Sequence, residues 1–346
     1  MNQNPYAISF GRIPEQYINR DSIIDDIIQT LNNKIIQEQA FKLTGIRGTG
    51  KTVTLTAIER RIREDTDWIV VGLKSTGNIT EDLVASLYHS VPFIRQFIDR
   101  QLNISILGFD VSLTQKAPDA SMDYALKSIL QEIKKQNKRV LVTIDEAHKT
   151  ASLIDFIQEF QILIREELPV FIIATGLYED IESLENTDGL TFFLRAKKYE
   201  MTPLNRGLIR ASYKKTLGLT DEVSSEMAEI TNGYAFAYQA LGKYMWDLKA
   251  KEVTDEVLIY FDAALSESVY NKIWSELTER DRYFLHFIVK KNPMPAAELL
   301  KLSGKRHNEW SEPRKRLKEK GIIDTTTRGM ISLCLPRFKE FVENLE

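Results

Sequence analysis

The stretch GIRGTGKTVTL, Gly45 to Leu55, decides the fold class. Four of its residues match the pattern G-x-x-x-x-G-K-[ST], namely Gly45, Gly50, Lys51 and Thr52. The stretch follows AFKLTG (40–45), a short apolar run typical of a buried strand, and it opens a segment (51–64) with helical spacing of apolar residues. A strand, a glycine-rich loop and a helix in this order are the context in which the pattern binds phosphate.

The residue types of this loop follow from the chemistry of phosphate binding. Glycines allow backbone N–H groups to converge on phosphate oxygens. Lys51 supplies a point charge, and Thr52 supplies a hydroxyl for magnesium. The helix that begins near Lys51 directs its positive end at the anion. The alternative interpretation is an ordinary glycine-rich turn. The predicted nucleotide contacts are Gly45, Arg47, Gly48, Thr49, Gly50, Lys51, Thr52 and Val53.

A second element supports this prediction. In VLVTIDEAH (140–148), Asp145 and Glu146 stand at the carboxyl end of an apolar strand, which is the edge where ligands bind in doubly wound sheets. Asp145 is predicted to hold magnesium, directly or through water. Glu146 is predicted to polarise an attacking water as a general base. Without the phosphate loop, the same pair of acids would indicate only a solvated helix start.

The remaining pattern predicts an α/β fold. Apolar runs that suit strands buried on both sides alternate with helical segments, which predicts a parallel sheet with helices on both faces. Further strands are expected at 68–73, 170–175 and 197–201, and a hairpin at 103–113, and we expect Ser121 to cap a helix. After Pro203 the strand signal disappears, and residues 205–265 indicate helices only.

Composition limits the possible functions. The net charge is −3 and the pI is about 6.0, so a DNA site has to be a local basic patch. The single cysteine, Cys334, excludes an internal disulfide and a cysteine-based metal cluster, and it fits a cytoplasmic protein. No signal peptide and no membrane helix are expected, because no apolar run approaches the ~20 residues that a span needs.

With these motifs the chain resembles the AAA+ ATPases, and it is most similar to the branch with the initiator and origin-recognition ATPases and the STAND-like ATPases. GIRGTGKT (45–52) resembles a Walker A motif, VLVTIDEA (140–147) a Walker B motif, and YINRD (17–21) the short box that precedes the phosphate loop. VFIIATG (170–176) resembles the sensor 1 strand, and TNGYAFAYQALG (231–242) resembles the lid helix, without its proline and its sensor 2 arginine.

The resemblance implies roles for further residues. It places Thr175 near the terminal phosphate and makes Arg195, in FFLRAKKYEMTPL (192–204), an arginine finger that acts on a neighbouring subunit. Thr175 as an ordinary strand residue and Arg195 as an ordinary surface residue are the alternatives.

The resemblance also implies ligands, partners and domains. ATP or ADP with Mg²⁺ would be the ligands, and a homo-oligomer or another ATPase or effector subunit would be the partner. The implied domains are a nucleotide-binding core (1–203), a helical lid (204–270) and a winged-helix domain (271–346).

The C-terminal part begins with three helical segments. Two extended pieces around Arg328 and Gly329 follow, and this order resembles a winged helix. The third helix carries seven basic and three acidic side chains between 305 and 320, a net charge of +4. It predicts duplex DNA binding through 305–330, with Arg328 near a phosphate. A solvated helix on a protein-binding winged helix is the alternative. Pro313 is expected to break or start the helix midway, and Trp310 is expected in the core.

Two functions therefore compete. The first is an ATP-dependent DNA-binding protein of the initiator kind. The second is a STAND-like signalling or defence ATPase, in which the winged helix contacts protein and the nucleotide sets an on–off state. A plain enzyme that acts on a small molecule would need a second catalytic constellation, which the sequence does not contain.

Overall fold

A computed structural model of the chain describes residues 3–9, 13–101 and 122–345. These residues divide into two compact units. The sheet unit comprises Arg20–Thr44 and Lys51–Glu200, and the C-terminal unit comprises Met1–Asn19, Gly45–Gly50 and Met201–Glu346. The glycine-rich loop therefore packs with the second half of the chain, although it is covalently continuous with the sheet unit at both of its ends.

The sheet unit is built on five parallel strands in the order β2-β3-β4-β1-β5. Their bounds are β1 (Ala40–Thr44), β2 (Trp68–Leu73), β3 (Arg139–Ile144), β4 (Val170–Gly176) and β5 (Lys197–Glu200). Strands β1 and β4 are buried along their whole length, which explains why most of their residues are apolar, with Lys42 as the charged exception in β1. Eight helices of this unit are described: α1 (Asp21–Asn32), α2 (Lys51–Arg63), α3 (Ile79–Ser90), α4 (Pro92–Gln101), α5 (Met122–Lys135), α6 (Ala151–Arg165), α7 (Tyr178–Glu185) and α8 (Thr191–Arg195).

This architecture confirms the predicted α/β fold class with a parallel sheet. The expected strands occur at all the predicted places within the described residues, and Pro92 separates α3 from α4 as the sequence indicates. The expected hairpin at 103–113 and the expected cap at Ser121 lie outside the described residues.

The C-terminal unit is mainly helical, and its side chains share one hydrophobic core. Its helices are α9 (Arg206–Leu217), α10 (Asp221–Thr231), α11 (Ala235–Asp247), α12 (Asp255–Leu265), a π-helical turn (Ser266–Tyr270), α13 (Asn271–Ser275), α14 (Glu279–Ile288), α15 (Ala296–Ser303), α16 (His307–Glu319) and α17 (Phe338–Glu343). A small antiparallel sheet has the order β6-β8-β7, with β6 (Met294–Pro295), β7 (Ile323–Asp324) and β8 (Met330–Leu333).

Several of these helices begin at threonine caps. The side chains of Thr220, Thr254 and Thr278 each accept a hydrogen bond from the third backbone N–H of their helix. At Thr278 the side chain of Asp281 returns the bond, which completes a capping box.

Two expectations for this unit were wrong. Pro313 does not break the basic helix, because α16 continues from His307 to Glu319 with the proline inside it. One face of α16 is buried and carries Trp310, Pro313 and Leu317. Pro313 removes one backbone N–H donor from the helix, but its ring adds buried apolar surface. In addition, Met294–Pro295 pairs with β8 as a third strand, where the sequence indicated only the start of a helix.

Trp310 is buried, as predicted, with its ring centroid 4.7 Å from that of Phe284. The division into a core, a lid and a winged-helix domain stays a prediction. None of the helices in the described part of the chain has the length and apolar character needed to cross a membrane.

Candidate functional site

Asp145 and Thr175 lie side by side at the carboxyl edge of the sheet. Ile144, the last residue of β3, is paired with Ala174 of β4. Asp145 and Thr175 follow these two residues and therefore lie beside each other. The hydroxyl of Thr175 donates a hydrogen bond to Oδ1 of Asp145. Thr52 Oγ1, at the start of α2, donates to Oδ2 of the same carboxylate at 2.8 Å. Three predicted site residues therefore form one hydrogen-bonded chain.

This chain of oxygens suits a hard divalent cation. A threonine hydroxyl and a carboxylate are the ligands by which Mg²⁺ is held together with phosphates and water. No group of three or more His, Cys, Asp or Glu side chains able to hold a metal occurs among the described residues. One hydroxyl and one carboxylate, at Thr52 and Asp145, fit a metal whose other ligands are phosphate oxygens and water.

Glu146 adopts a constrained backbone conformation beside these residues. Its φ of 52° lies in the left-handed region, which side chains other than glycine rarely enter. The turn is held because the Glu146 N–H donates to Thr175 Oγ1 at 3.2 Å and the Ala147 N–H donates to the Thr175 carbonyl at 2.6 Å. The Glu146 side chain is exposed. Thr175 thus positions both acids of the DE pair.

Two residues that the sequence reasoning missed support this turn. His148 Nδ1 lies 2.9 Å from the Glu146 carbonyl oxygen, and Ser75 Oγ donates to the same oxygen at 3.4 Å. Ser75 and His148 also contact each other at 3.3 Å. His148 could have been predicted near the site, because it stands two residues after Glu146. Ser75 could not, because it follows a different strand, β2.

In the C-terminal unit, the glycine-rich loop is held by the start of α11. Tyr234 Oη donates to the Arg47 carbonyl at 2.6 Å, and the Phe236 N–H donates to the Gly48 carbonyl at 3.0 Å. Gly48 has a φ of 78°, and a Cβ at this position would lie 2.2 Å from Tyr234 Oη. Glycine is therefore required at 48 both for its backbone conformation and for the approach of Tyr234.

Tyr234 is the main residue of this site that sequence reasoning missed. It stands in the segment that resembles a lid, where the expected arginine is lacking. Its ring is 5 % exposed, and burial raises the pKa of its hydroxyl well above the ordinary value. The hydroxyl therefore stays protonated as a donor to the loop. The sequence around Tyr234 does not indicate this contact, because its partner Arg47 is 187 residues away in the chain.

The outer side of the same loop contacts the C-terminal part of the chain. The Arg47 guanidinium lies 3.9 Å from the carboxylate of Glu276, which also pairs with Lys320 at 3.8 Å. A Cβ at Gly321, the residue after Lys320, would lie 2.4 Å from Cγ2 of Ile46. Ile46 thus lies against Gly321, just after the end of the basic helix α16, and Arg47 shares Glu276 with Lys320.

The other predicted nucleotide contacts lie in the loop itself or in the first turn of the following helix. Thr49 is buried, and its hydroxyl donates to the Ile46 carbonyl at 2.9 Å, which closes the loop on itself. Gly45 is confined, because a Cβ there would lie 2.8 Å from Thr49 Oγ1. Lys51 and Val53 are half-buried in the first turn of α2.

Arg195 is the last residue of α8, and its side chain is exposed. Within the described residues its guanidinium makes no hydrogen bond and no ion pair, so it does not join the chain formed by Thr52, Asp145 and Thr175. Its neighbour Phe193 is buried, whereas Leu194 is 55 % exposed. The short helix therefore presents Leu194 and Arg195 to solvent.

The basic helix α16 is less available to a ligand than its sequence indicates. Arg316 binds Asp281, whose side chain is fully buried, with Nη2–Oδ1 at 2.8 Å. Weaker pairs join Lys305 to Glu309, Lys315 to Glu319 and Lys320 to Glu276. Arg316 is half-buried and held by its ion pair with Asp281. Exposed basic side chains remain at Lys305, Arg306, Arg314, Lys315, Lys318 and Arg328.

Comparisons with known proteins agree with this fold. Residues 267–342 match a family model described as a domain of unknown function, DUF8462. Among curated proteins, none matches the sequence. A Walker-type ATPase of Pyrococcus abyssi is similar in structure, with a TM-score of 0.60 and 15% identity over 95% of this chain and 97% of that chain.

Two further solved structures have the same fold. Cdc6p from Pyrobaculum aerophilum has a TM-score of 0.50 and 16% identity, over 98% of this chain and 96% of its own. The ADP form of the ORC2 protein from Aeropyrum pernix has a TM-score of 0.51 and 13% identity, also over 98% and 96%. The chain therefore shares its fold with the Walker-type ATPase and with the Cdc6p and ORC2 proteins, and the structural similarity extends over nearly its whole length.

Proposed function

We propose that this protein is an ATPase of the initiator type, which binds and hydrolyses Mg-ATP and couples its nucleotide state to duplex DNA. The observation that carries the proposal is the hydrogen-bonded chain from Thr52 through Asp145 to Thr175, directly after a glycine-rich loop with the phosphate-binding pattern. The fold shared with a Walker-type ATPase and with an ADP-bound ORC2 protein supports it.

Each residue of the site has a proposed role. The backbone N–H groups of the loop and the ammonium of Lys51 bind the phosphates. Mg²⁺, when bound, neutralises phosphate charge and orients the terminal phosphate. Thr52 and Asp145 hold this ion, and Thr175 fixes the carboxylate of Asp145. Glu146 accepts the proton of the attacking water.

Arg195 is proposed to complete the site of a neighbouring subunit. An arginine finger stabilises the charge that develops on the transferred phosphoryl group. The exposure of Arg195, beside the exposed Leu194, is what a contribution to another subunit requires. The proposed partner is a second copy of this chain or a related ATPase subunit.

The coupling to DNA is proposed to pass through the outer side of the phosphate loop. Ile46 and Arg47 touch Gly321 and Glu276, and Lys320 shares Glu276 with Arg47. A loop that adjusts to a nucleotide therefore disturbs the end of α16. By linkage, whatever binds to α16 then alters the affinity for nucleotide by the same factor.

The DNA surface is proposed to be a winged helix formed by α14, α15, α16 and the sheet β6-β8-β7. Helix α16 would enter the major groove, with Arg314, Lys315 and Lys318 exposed on it, and Arg328 would approach a phosphate from the turn before β8.

A second candidate is a STAND-like nucleotide switch whose C-terminal part contacts protein. The observation in its favour is that four of the seven basic residues of 305–320 already form ion pairs inside the chain. Fluorescence anisotropy with a labelled duplex separates the two candidates. Binding that weakens with salt and with Arg314→Ala supports DNA, and no binding at low salt favours the switch.

A further inference from the structure

Lys42 is a lysine buried in the middle of the central sheet. Its side chain is 0 % exposed, although it stands on β1 between two apolar neighbours. Every N–H of its ammonium has an acceptor: Glu185 Oε1 at 2.7 Å, the Phe193 carbonyl at 2.6 Å and the Leu194 carbonyl at 3.2 Å. A buried charge is tolerated only when it is paired and hydrogen-bonded in this way.

The two carbonyls belong to the residues immediately before Arg195. They lie in the last turn of α8, where the Phe193 carbonyl also accepts the Ala196 N–H at 3.2 Å. Lys42 therefore fixes the backbone on which Arg195 stands, and Glu185, the last residue of α7, fixes Lys42 from the other side. The ammonium also lies 5.1 Å from the centre of the Phe193 ring.

Support of the core alone does not require a charge at this position. A methionine has a similar length and fills a core without desolvating an ion. Burial lowers the pKa of Lys42, and the hydrogen bond and charge of Glu185 oppose that change. A lysine here is explained by what it holds, which is the end of α8.

We propose that Lys42 is a positioning residue for Arg195, holding α8 so that the guanidinium is presented to a neighbouring site. This inference rests on the proposed role of Arg195 as the arginine finger. Lys42 stands three residues before Gly45, so a single strand carries the support for the arginine and continues into the phosphate loop.

The test is a double-mutant cycle on single-turnover ATP hydrolysis, with Lys42→Met, Arg195→Ala and both together. We expect Arg195→Ala to lower the rate by about a thousandfold. Lys42→Met should lower it by about a hundredfold through misplacement of the finger. Added to Arg195→Ala, Lys42→Met should change the rate by less than about twofold, because the group that it positions is already gone. Nucleotide affinity should be unchanged in all three variants.

The outcomes separate the two proposals. If Lys42→Met lowers the rate equally with and without Arg195, or leaves it unchanged with Arg195 present, the positioning role is overturned and the finger stands. If Arg195→Ala leaves the rate unchanged, the finger role fails and the positioning role with it. Where Lys42→Met does not fold, Glu185→Gln weakens the same anchor and must show the same dependence on Arg195. Lys127→Met removes an exposed ion pair with Glu166 and serves as the matched control.

Discussion

The hydroxyl of Thr175 is hydrogen-bonded to the carboxylate of Asp145, and its oxygen also accepts the backbone N–H of Glu146. One buried threonine thus holds a proposed metal ligand and a proposed general base in register. The arrangement follows from the sheet, because Ile144 at the end of β3 pairs with Ala174 of β4, and Asp145 and Thr175 follow these two residues.

Replacing Thr175 by valine should impair hydrolysis more than binding. Valine keeps the shape of threonine but cannot donate to Asp145. We expect the rate of ATP hydrolysis to fall about tenfold to a hundredfold, from the ~1–3 kcal/mol of a hydrogen bond to a charged group. The measurement is steady-state turnover together with a nucleotide titration.

The matched control for this variant is Thr143→Val. Thr143 is also buried and also donates to a carboxylate, Glu59 Oε1 at 2.5 Å, but it stands on β3 before the site. A similar loss of stability in both variants, with a loss of rate only in Thr175→Val, is the expected result. Equal rates in the two variants would contradict the proposed role of Thr175.

The contact between Ile46 and Gly321 gives a second prediction. Gly321→Ala places a Cβ against Ile46, so the phosphate loop has to shift, and we expect nucleotide affinity to fall about fivefold or more. Calorimetric titration with ADP measures it.

Gly304→Ala is the control for the backbone strain of this substitution. Gly304 has the same φ of 63° as Gly321, but a Cβ added at Gly304 would have nothing within 4 Å of it. Both variants lose about 1 kcal/mol of stability because alanine disfavours positive φ. Equal nucleotide affinities in the two variants would mean that the contact with Ile46 does not reach the nucleotide.

The basic helix gives a third prediction, which separates a structural arginine from candidate DNA contacts. Arg316→Ala leaves the buried carboxylate of Asp281 without its main partner, and we expect it to destabilise the protein by about 1–3 kcal/mol. Arg314→Ala and Lys315→Ala should change stability by less than about 0.5 kcal/mol. Thermal unfolding gives these values.

The same two exposed residues test the DNA surface. If they contact phosphates, each alanine substitution should lower the dependence of log K on log salt concentration by about 1. A slope that is the same as in the wild type for both variants would remove α16 from the DNA surface.

A fourth prediction concerns whether Arg195 acts on the ATP site of its own subunit or of a neighbouring subunit. If it acts on a neighbouring subunit, Arg195→Ala retains an intact site and Glu146→Gln retains an intact finger. A mixture of the two inactive variants should then recover part of the wild-type turnover. The absence of recovery on mixing, when both variants form oligomers, would show that Arg195 does not act in trans.

Much of the fold could be predicted from the sequence because its signals are local. The buried strands are mainly apolar runs, and several helices begin at threonine or asparagine caps. The short strand Met294–Pro295 was missed, because two residues have no periodicity and only pairing with β8 defines them. Pro313 was misjudged, since the burial of its ring depends on residues of other helices.

The candidate site divides in the same way. The loop pattern and the DE pair are contiguous motifs, so the sequence identifies Lys51, Asp145 and Glu146 directly. The contacts of Tyr234 with Arg47, and of Gly321 with Ile46, join residues far apart in the chain. Nothing near these residues in sequence indicates their partners, so the sequence predicts Arg47 only as a nucleotide contact and not its contact with Tyr234.

The proposed function depends most on Lys51, Thr52, Asp145 and Glu146, which we propose to form one ATP-hydrolysing site. Its most direct test measures Mg-ATP binding and turnover for the wild type, Lys51→Ala and Glu146→Gln. We expect that the wild type hydrolyses ATP and that Lys51→Ala no longer binds it. Glu146→Gln should bind ATP about as tightly as the wild type but turn it over about a hundredfold more slowly. Turnover by Glu146→Gln at the wild-type rate, or unchanged binding by Lys51→Ala, would contradict the account.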